Sequence, residues 1–284
     1  MGSKCRIVVF ACDEERAAAA SAAAFGRIRD LNDVLSDYSN TSEASRVMGF
    51  RVGVWHEISE DLFVTLERAL KMAHATNGAF DPTVGALTKL WRETNKAGVM
   101  PNKAVIRAAR DRSGYQMLEL DVVKRSIRFS AQGMILDFGG IGKGHAADEA
   151  MSVLATFGLT RALIDFGGDL RLGDPPPDQP EGWKVEIQDG IKSGRTMYLQ
   201  NVAVATSGDL EQSFTIDGVT YSHVIDPRTG LGLQQRVAAT VIADEGWLAD
   251  ALASAACVLE PEQTDLLARQ YPGCIVLVNR ESGF

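Results

Sequence analysis

The chain has 284 residues, 45% of them hydrophobic, enough to bury one large core or two smaller ones sharing an interface. A formal charge of -8 at pH 7 and a pI near 5.1, with no Lys/Arg cluster to offset them, exclude a protein that grips nucleic acid through a basic stripe. Cys5, Cys12, Cys257 and Cys274 are far apart without a C-x-x-C spacing, so neither a zinc site nor a disulfide framework is signalled.

One short apolar run, residues 7–11, reads as an opening strand and is too brief for a signal-peptide core or a membrane span. Arg6 stands where myristoylation wants Ser or Thr. The Ala-rich stretch 13–36 predicts a long helix with acidic residues in its first turn. Asn40 or Ser42 offers a cap for a short helix, Ser59 starts a longer one that Gly78 stops, and Asp81-Pro82 reads as a cap with proline at the first helical position. Another helix is expected over 103–112, ended by Gly114. "MLELD", "SIRFS" and "MILDF" then show the period-two pattern of strands, and a helix is expected over 146–157. "GDPPPDQPEG" is the clearest loop. Strands are expected near 183–188, 196–199, 203–206, 214–216 and 221–225. "EGWLADALASAACVL" and residues 262–270 supply two helices before a buried closing strand, "CIVLV". Strands and helices do not alternate regularly. The pattern therefore predicts one compact α+β unit over 1–284, mixed sheets flanked by helices, in preference to a doubly wound sheet.

Asp-Phe-Gly-Gly occurs at Asp137 and again at Asp165, 28 positions later. Two apolar runs each ending this way predict two strands that finish side by side with a helix between them. Residues 139–144, "GGIGKG", then lie between strand and helix, where unpaired amides and the helix dipole favour phosphate and Lys143 adds a charge. The segment is not a Walker A loop or G-x-G-x-x-G, and taken alone it reads equally as a tight glycine-rich turn. "YSHVIDPRTG" places His223 inside a strand, where a histidine is more often structural than catalytic. "VATSGD" is a strand ending in the hydroxyls of Thr206 and Ser207, with a plain turn as its bland alternative. Asp250 and Ser254, four apart on an apolar helix, share a face. A carboxylate there needs a partner, either backbone N–H groups or a hard cation such as Mg²⁺ that takes oxygen donors and substrate phosphates.

In their order along the chain, "MGSKC", "LSDYSNTSEASRV", "GAFDPTVGALTKLW", "LDFGGIGKGHAAD", "LIDFGGD", "VATSGD", "YSHVIDPRTG" and "WLADALASA" resemble the FAD:protein FMN transferases, the ApbE-like flavin transferase family. The resemblance implies an enzyme that cleaves the pyrophosphate of FAD, releases AMP and attaches FMN through a phosphoester to a Thr or Ser hydroxyl of an acceptor protein. It implies Mg²⁺ at the pyrophosphate, held by the backbone carbonyl of Gly142 and the side chains of Asp250 and Ser254. It implies FAD contacts at Met1, Tyr38, Ala79, Phe80, Asp81, Gly139, Lys143, His145, Thr206 and Ser207. It also makes His223 the base that takes the acceptor hydroxyl's proton, a task a near-neutral pKa suits. The acceptors it suggests are subunits of redox-driven ion pumps or secreted FMN-binding reductases, with no nucleic-acid partner and no membrane span.

Gly142 stands where the family usually has Ala and Ser254 where it usually has Thr, so the carbonyl and hydroxyl donors are kept. Many members begin with a signal or lipoprotein leader, whereas Met1 here falls inside the first motif. The location reads as cytoplasmic for the sequence as it stands, and as periplasm or cell envelope if a leader was removed. Two other functions use the same residues: an Mg²⁺-dependent FAD pyrophosphatase that releases free FMN and AMP, and a protein that holds FAD without chemistry. His223, Asp250 and Ser254 speak against the last, because binding alone needs no base.

Overall fold

Strand β1 (Cys5–Val9) leads into α1 (Glu14–Leu35) in the computed structural model, which describes residues 3–188, 194–208 and 213–281. Asp13 caps α1 by accepting from the Glu15 and Arg16 N–H groups, and Ala20, Ala24, Ile28, Leu31 and Leu35 form its buried stripe at three- and four-residue spacing. Ser42 caps α2 (Glu43–Val47), β2 (His56–Glu57) follows, and Ser59 caps α3 (Glu60–Ala75). α4 (Gly85–Ala97) and α5 (Lys103–Arg110) pack through Ala86, Leu87 and Ala109. β3 (Leu118–Asp121) and β4 (Ser126–Phe129) join β2 in a three-stranded antiparallel sheet.

α6 (Gly142–Thr156) comes next, then β5 (Ala162–Phe166), β6 (Asp169–Leu172), and a hairpin of β7 (Trp183–Gln188) with β8 (Gly194–Leu199). β9 (Ala203–Gly208) is followed by two small hairpins, β10 (Ser213–Ile216) with β11 (Val219–Ser222) and β12 (Ile225–Asp226) with β13 (Leu231–Gly232). β14 (Arg236–Ala243), α7 (Gly246–Val258), α8 (Pro261–Ala268) and β15 (Ile275–Glu281) complete the order. The main sheet runs β1-β5-β6-β9-β14-β15, and its neighbours pair antiparallel.

Strand alternation divides this sheet between two cores. On β5, Ala162, Ile164 and Phe166 join the cluster made with α1, α3, α6 and α7, while Leu163 faces the opposite cluster with Leu172, Trp183, Val185 and Ile187. The molecule is an α+β unit, as the sequence pattern predicts.

Helix α6 starts at Gly142, a turn before the expected 146, and the structure departs from the sequence reading at four further elements. Residues 134–138, expected as a strand, make only an isolated parallel bridge between Val84 and Ile135, because their backbone is spent on the segment before α4: Gly85 donates to the Ile135 carbonyl and Asp137 to that of Pro82. That helix starts at Gly85 rather than after Asp81, whose carboxylate instead braces a turn by accepting from the Thr83 N–H and hydroxyl and from the Tyr115 N–H. His223 lies in a bend between β11 and β12, not inside a strand. The closing strand is an edge strand with Ile275 and Val278 exposed, not a buried one.

Candidate functional site

The two Asp-Phe-Gly-Gly copies do different local work. At the first, Asp137 accepts the Gly139 N–H at 2.8 Å, the chain turns over Phe138, and α6 begins at Gly142. At the second, Gly167 and Gly168 turn the β5–β6 hairpin and Asp165 accepts the Gly168 N–H. The copies nonetheless meet, since both glycine pairs line one cavity of about 1040 Å³. Its volume suits a dinucleotide-sized ligand.

α7 carries the buried charge of this cavity. Twelve of its residues are buried, Asp250 among them at 2% exposure, with Oδ2 accepting the Gly144 N–H from the first turn of α6 at 3.1 Å. Burial pushes the Asp250 carboxyl up to about 7, against the lowering pull of Lys143. Lys143 pairs with Asp169, whose other oxygen accepts the Thr206 N–H. Burial acts to lower the Lys143 ammonium, but Asp250 and Asp169 outweigh it and hold it at about 12. One turn beyond Asp250, Ser254 Oγ is 3.1 Å from Ser207 Oγ, and a Cβ on Gly140 would stand 2.6 Å from it. Only a glycine lets the loop come this close to α7.

The amide and ammonium expected to greet phosphate thus already face carboxylates. Asp250, Ser254 and Gly142 line the cavity together, and an all-oxygen set of this kind, carboxylate, hydroxyl and backbone carbonyl, is what a hard cation takes. Among the described residues no three His, Cys, Asp or Glu side chains cluster as a metal cage. The set therefore suits a hard ion that takes its remaining ligands from water and substrate.

Of the residues the resemblance singled out, the cavity wall gathers Tyr38, Ala79, Phe80, Asp81, Gly139, Gly142, Lys143, Thr206, Ser207, His223, Asp250 and Ser254. His223 is exposed at this wall. His145 is not among the residues of this wall: on α6, its ring is buried with Nδ1 2.8 Å from Arg68. Met1 lies outside the described residues. The sequence reading missed Asp37 and Arg92, which pair at 2.6 Å in the cavity wall. Thr88 and Arg92 stand one turn apart on α4 and both line the cavity, a spacing that points to Arg92, whereas no such local signal marks Asp37.

These features define an α+β protein with a buried carboxylate and a hydroxyl set against a glycine loop. A model of the ApbE family matches residues 1–278, and the chain belongs to that family. It is 34% identical over 233 residues to the FAD:protein FMN transferase of Treponema pallidum, an alignment covering 76% of this chain and 64% of the relative. Among solved structures it resembles the flavin transferase ApbE of Vibrio cholerae, with TM-score 0.85 and 25% identity over 100% of this chain and 94% of the other. It also resembles the ApbE protein of Thermotoga maritima, with TM-score 0.84 and 28% identity over 99% and 94%.

Proposed function

We propose that the chain is a FAD:protein FMN transferase. The observation that carries this reading is the meeting, in one cavity, of Asp250 and Ser254 from α7, the glycine loop before α6, and His223 from the bend after β11. FAD is the substrate, with its pyrophosphate between the glycine loop and α7. Asp250, Ser254 and the Gly142 carbonyl would hold Mg²⁺, which would supply positive charge to neutralise the phosphates of FAD. His223 takes the proton of an acceptor Thr or Ser hydroxyl. The hydroxyl oxygen attacks the FMN phosphorus, the bond from that phosphorus to the bridging oxygen breaks, and AMP leaves with that oxygen. Lys143, pinned by Asp169, keeps a fixed positive charge beside the phosphates. The acceptor is a flavin-carrying protein, in keeping with subunits of redox-driven ion pumps or FMN-binding reductases.

The test is intact-mass spectrometry of a threonine-containing acceptor domain incubated with the protein, FAD and Mg²⁺, beside a His223→Ala control. The expected result is an added FMN mass that needs both Mg²⁺ and His223. Free FMN and AMP with an unmodified acceptor would replace this reading with a pyrophosphatase, and intact FAD would replace it with a binding protein.

A further inference from the structure

A cluster at the cavity wall takes no part in the transfer step. Arg92 donates to Asp37 at 2.6 Å, stands 3.9 Å from Asp137, and lies over the Tyr38 ring at 4.4 Å from its centroid. One planar cation thus ties together three segments distant in sequence: the loop after α1, the middle of α4, and the run that leads into the glycine loop. Asp37 and Asp137 are the better shielded partners, with side chains 16% and 9% exposed against 38% for Arg92. The guanidinium is therefore held from below by carboxylates.

Tyr38 is the conspicuous member, 71% exposed on a cavity wall. A tyrosine with no further role usually covers its ring. A guanidinium stacked on one face of a phenol leaves the opposite face for another flat group, and its fixed plane restrains the ring's orientation.

We infer that Arg92 is a positioning residue: held by Asp37 and Asp137, it backs the Tyr38 ring and makes it a stacking platform for a planar heteroaromatic ring of the substrate. The inference rests on the FAD reading above. FAD carries two such rings, isoalloxazine and adenine, and what they share is the flat π-system the platform requires.

The test is a binding measurement. FAD and FMN are titrated by flavin fluorescence quenching and ADP by calorimetry, with the wild-type chain, Arg92→Ala, Arg92→Lys, Asp37→Asn, Tyr38→Leu and the Arg92→Ala/Tyr38→Leu double variant. Arg92→Ala is expected to raise the Kd for FAD about fivefold, the scale of a partly exposed cation–π contact. Arg92→Lys does nearly the same, because a point-charge ammonium cannot span Asp37 and the ring in one plane. Asp37→Asn, which leaves Arg92 present but less firmly held, moves Kd in the same direction. In the Tyr38→Leu background Arg92→Ala adds nothing further. A parallel loss with FMN puts the isoalloxazine on the platform, and one with ADP puts the adenine there. An unchanged Kd in Arg92→Ala, or an equal penalty with and without the Tyr38 ring, overturns the inference and leaves the transferase reading standing. A wild-type chain that binds no FAD removes both.

Discussion

At the scale of single residues, His145 shows what burial does to a motif histidine. Its ring is 1% exposed, and because arginine only donates, the Nδ1 facing Arg68 must accept, which puts the proton on the buried Nε2. Burial first, then the charge of Arg68, lowers its pKa from 6.5 to about 4; Arg27 adds to the lowering, while Glu149 and Asp61 oppose it. The folded chain therefore keeps His145 neutral where the unfolded chain protonates it. Its contribution to stability is full above pH 6.5 and is lost as pH falls toward about 4, because the unfolded state binds the extra proton over that interval. The linkage amounts to about 3 kcal/mol at most. Urea unfolding of the wild type and His145→Gln between about pH 7.5 and 4.5 should show the wild type losing stability more steeply. Parallel pH profiles would contradict the buried neutral imidazole.

At the scale of elements, the site depends on how closely α6 and α7 approach. A Cβ on Gly144 would stand 2.0 Å from the Gly246 carbonyl oxygen, and one on Gly246 would stand 2.5 Å from that of Gly144. The neighbours on both sides are backbone and cannot swing away. Asp148 of α6 caps α7 through the Gly246 and Trp247 N–H groups, and Arg280 of β15 donates to the Ala256 carbonyl at its other end. The helix that carries Asp250 and Ser254 is thus held at both termini. Gly144→Ala should cost about 3 kcal/mol or more, at or beyond the upper end for overpacking, and displace Asp250 from the Gly144 N–H. A denaturation midpoint equal to the wild type would show that the two helices can separate without penalty.

At the scale of the whole molecule, the cavity draws on α1's following loop, α4, the glycine loop, the β5–β6 turn, β9, the His223 bend and α7. No fragment of the chain contains it, so a ligand that fills it binds the folded state alone. FAD at about a hundred times its Kd should then stabilise the fold by about 2.7 kcal/mol, seen as a rise in Tm. Chelation with EDTA should remove part of that rise, and Asp250→Asn should lack the metal-dependent part altogether. A Tm that responds to FAD identically with Mg²⁺, with EDTA and in Asp250→Asn would take the metal away from α7.

What the sequence by itself determined is what local chemistry controls. The caps at Ser42 and Ser59 and the Ala-rich run of α1 mark their helices without outside help, and the irregular succession of strands and helices is that of an α+β fold. Asp250 and Ser254 are legible together because a helix places residues four apart on one face. The tertiary structure decided where each remaining donor and charge finds its partner. Residues 134–138 carry a strand's pattern, yet Pro82 and Gly85 take up their hydrogen bonds. His145 sits three residues into α6, yet its Nδ1 finds its partner in Arg68, 77 positions away. Gly144 was free to offer its N–H to phosphate until Asp250, 106 positions on, accepted it. A sequence pattern specifies which face of a segment is apolar, whereas the partner of a buried N–H or charge lies on another segment, and only packing the two together chooses it.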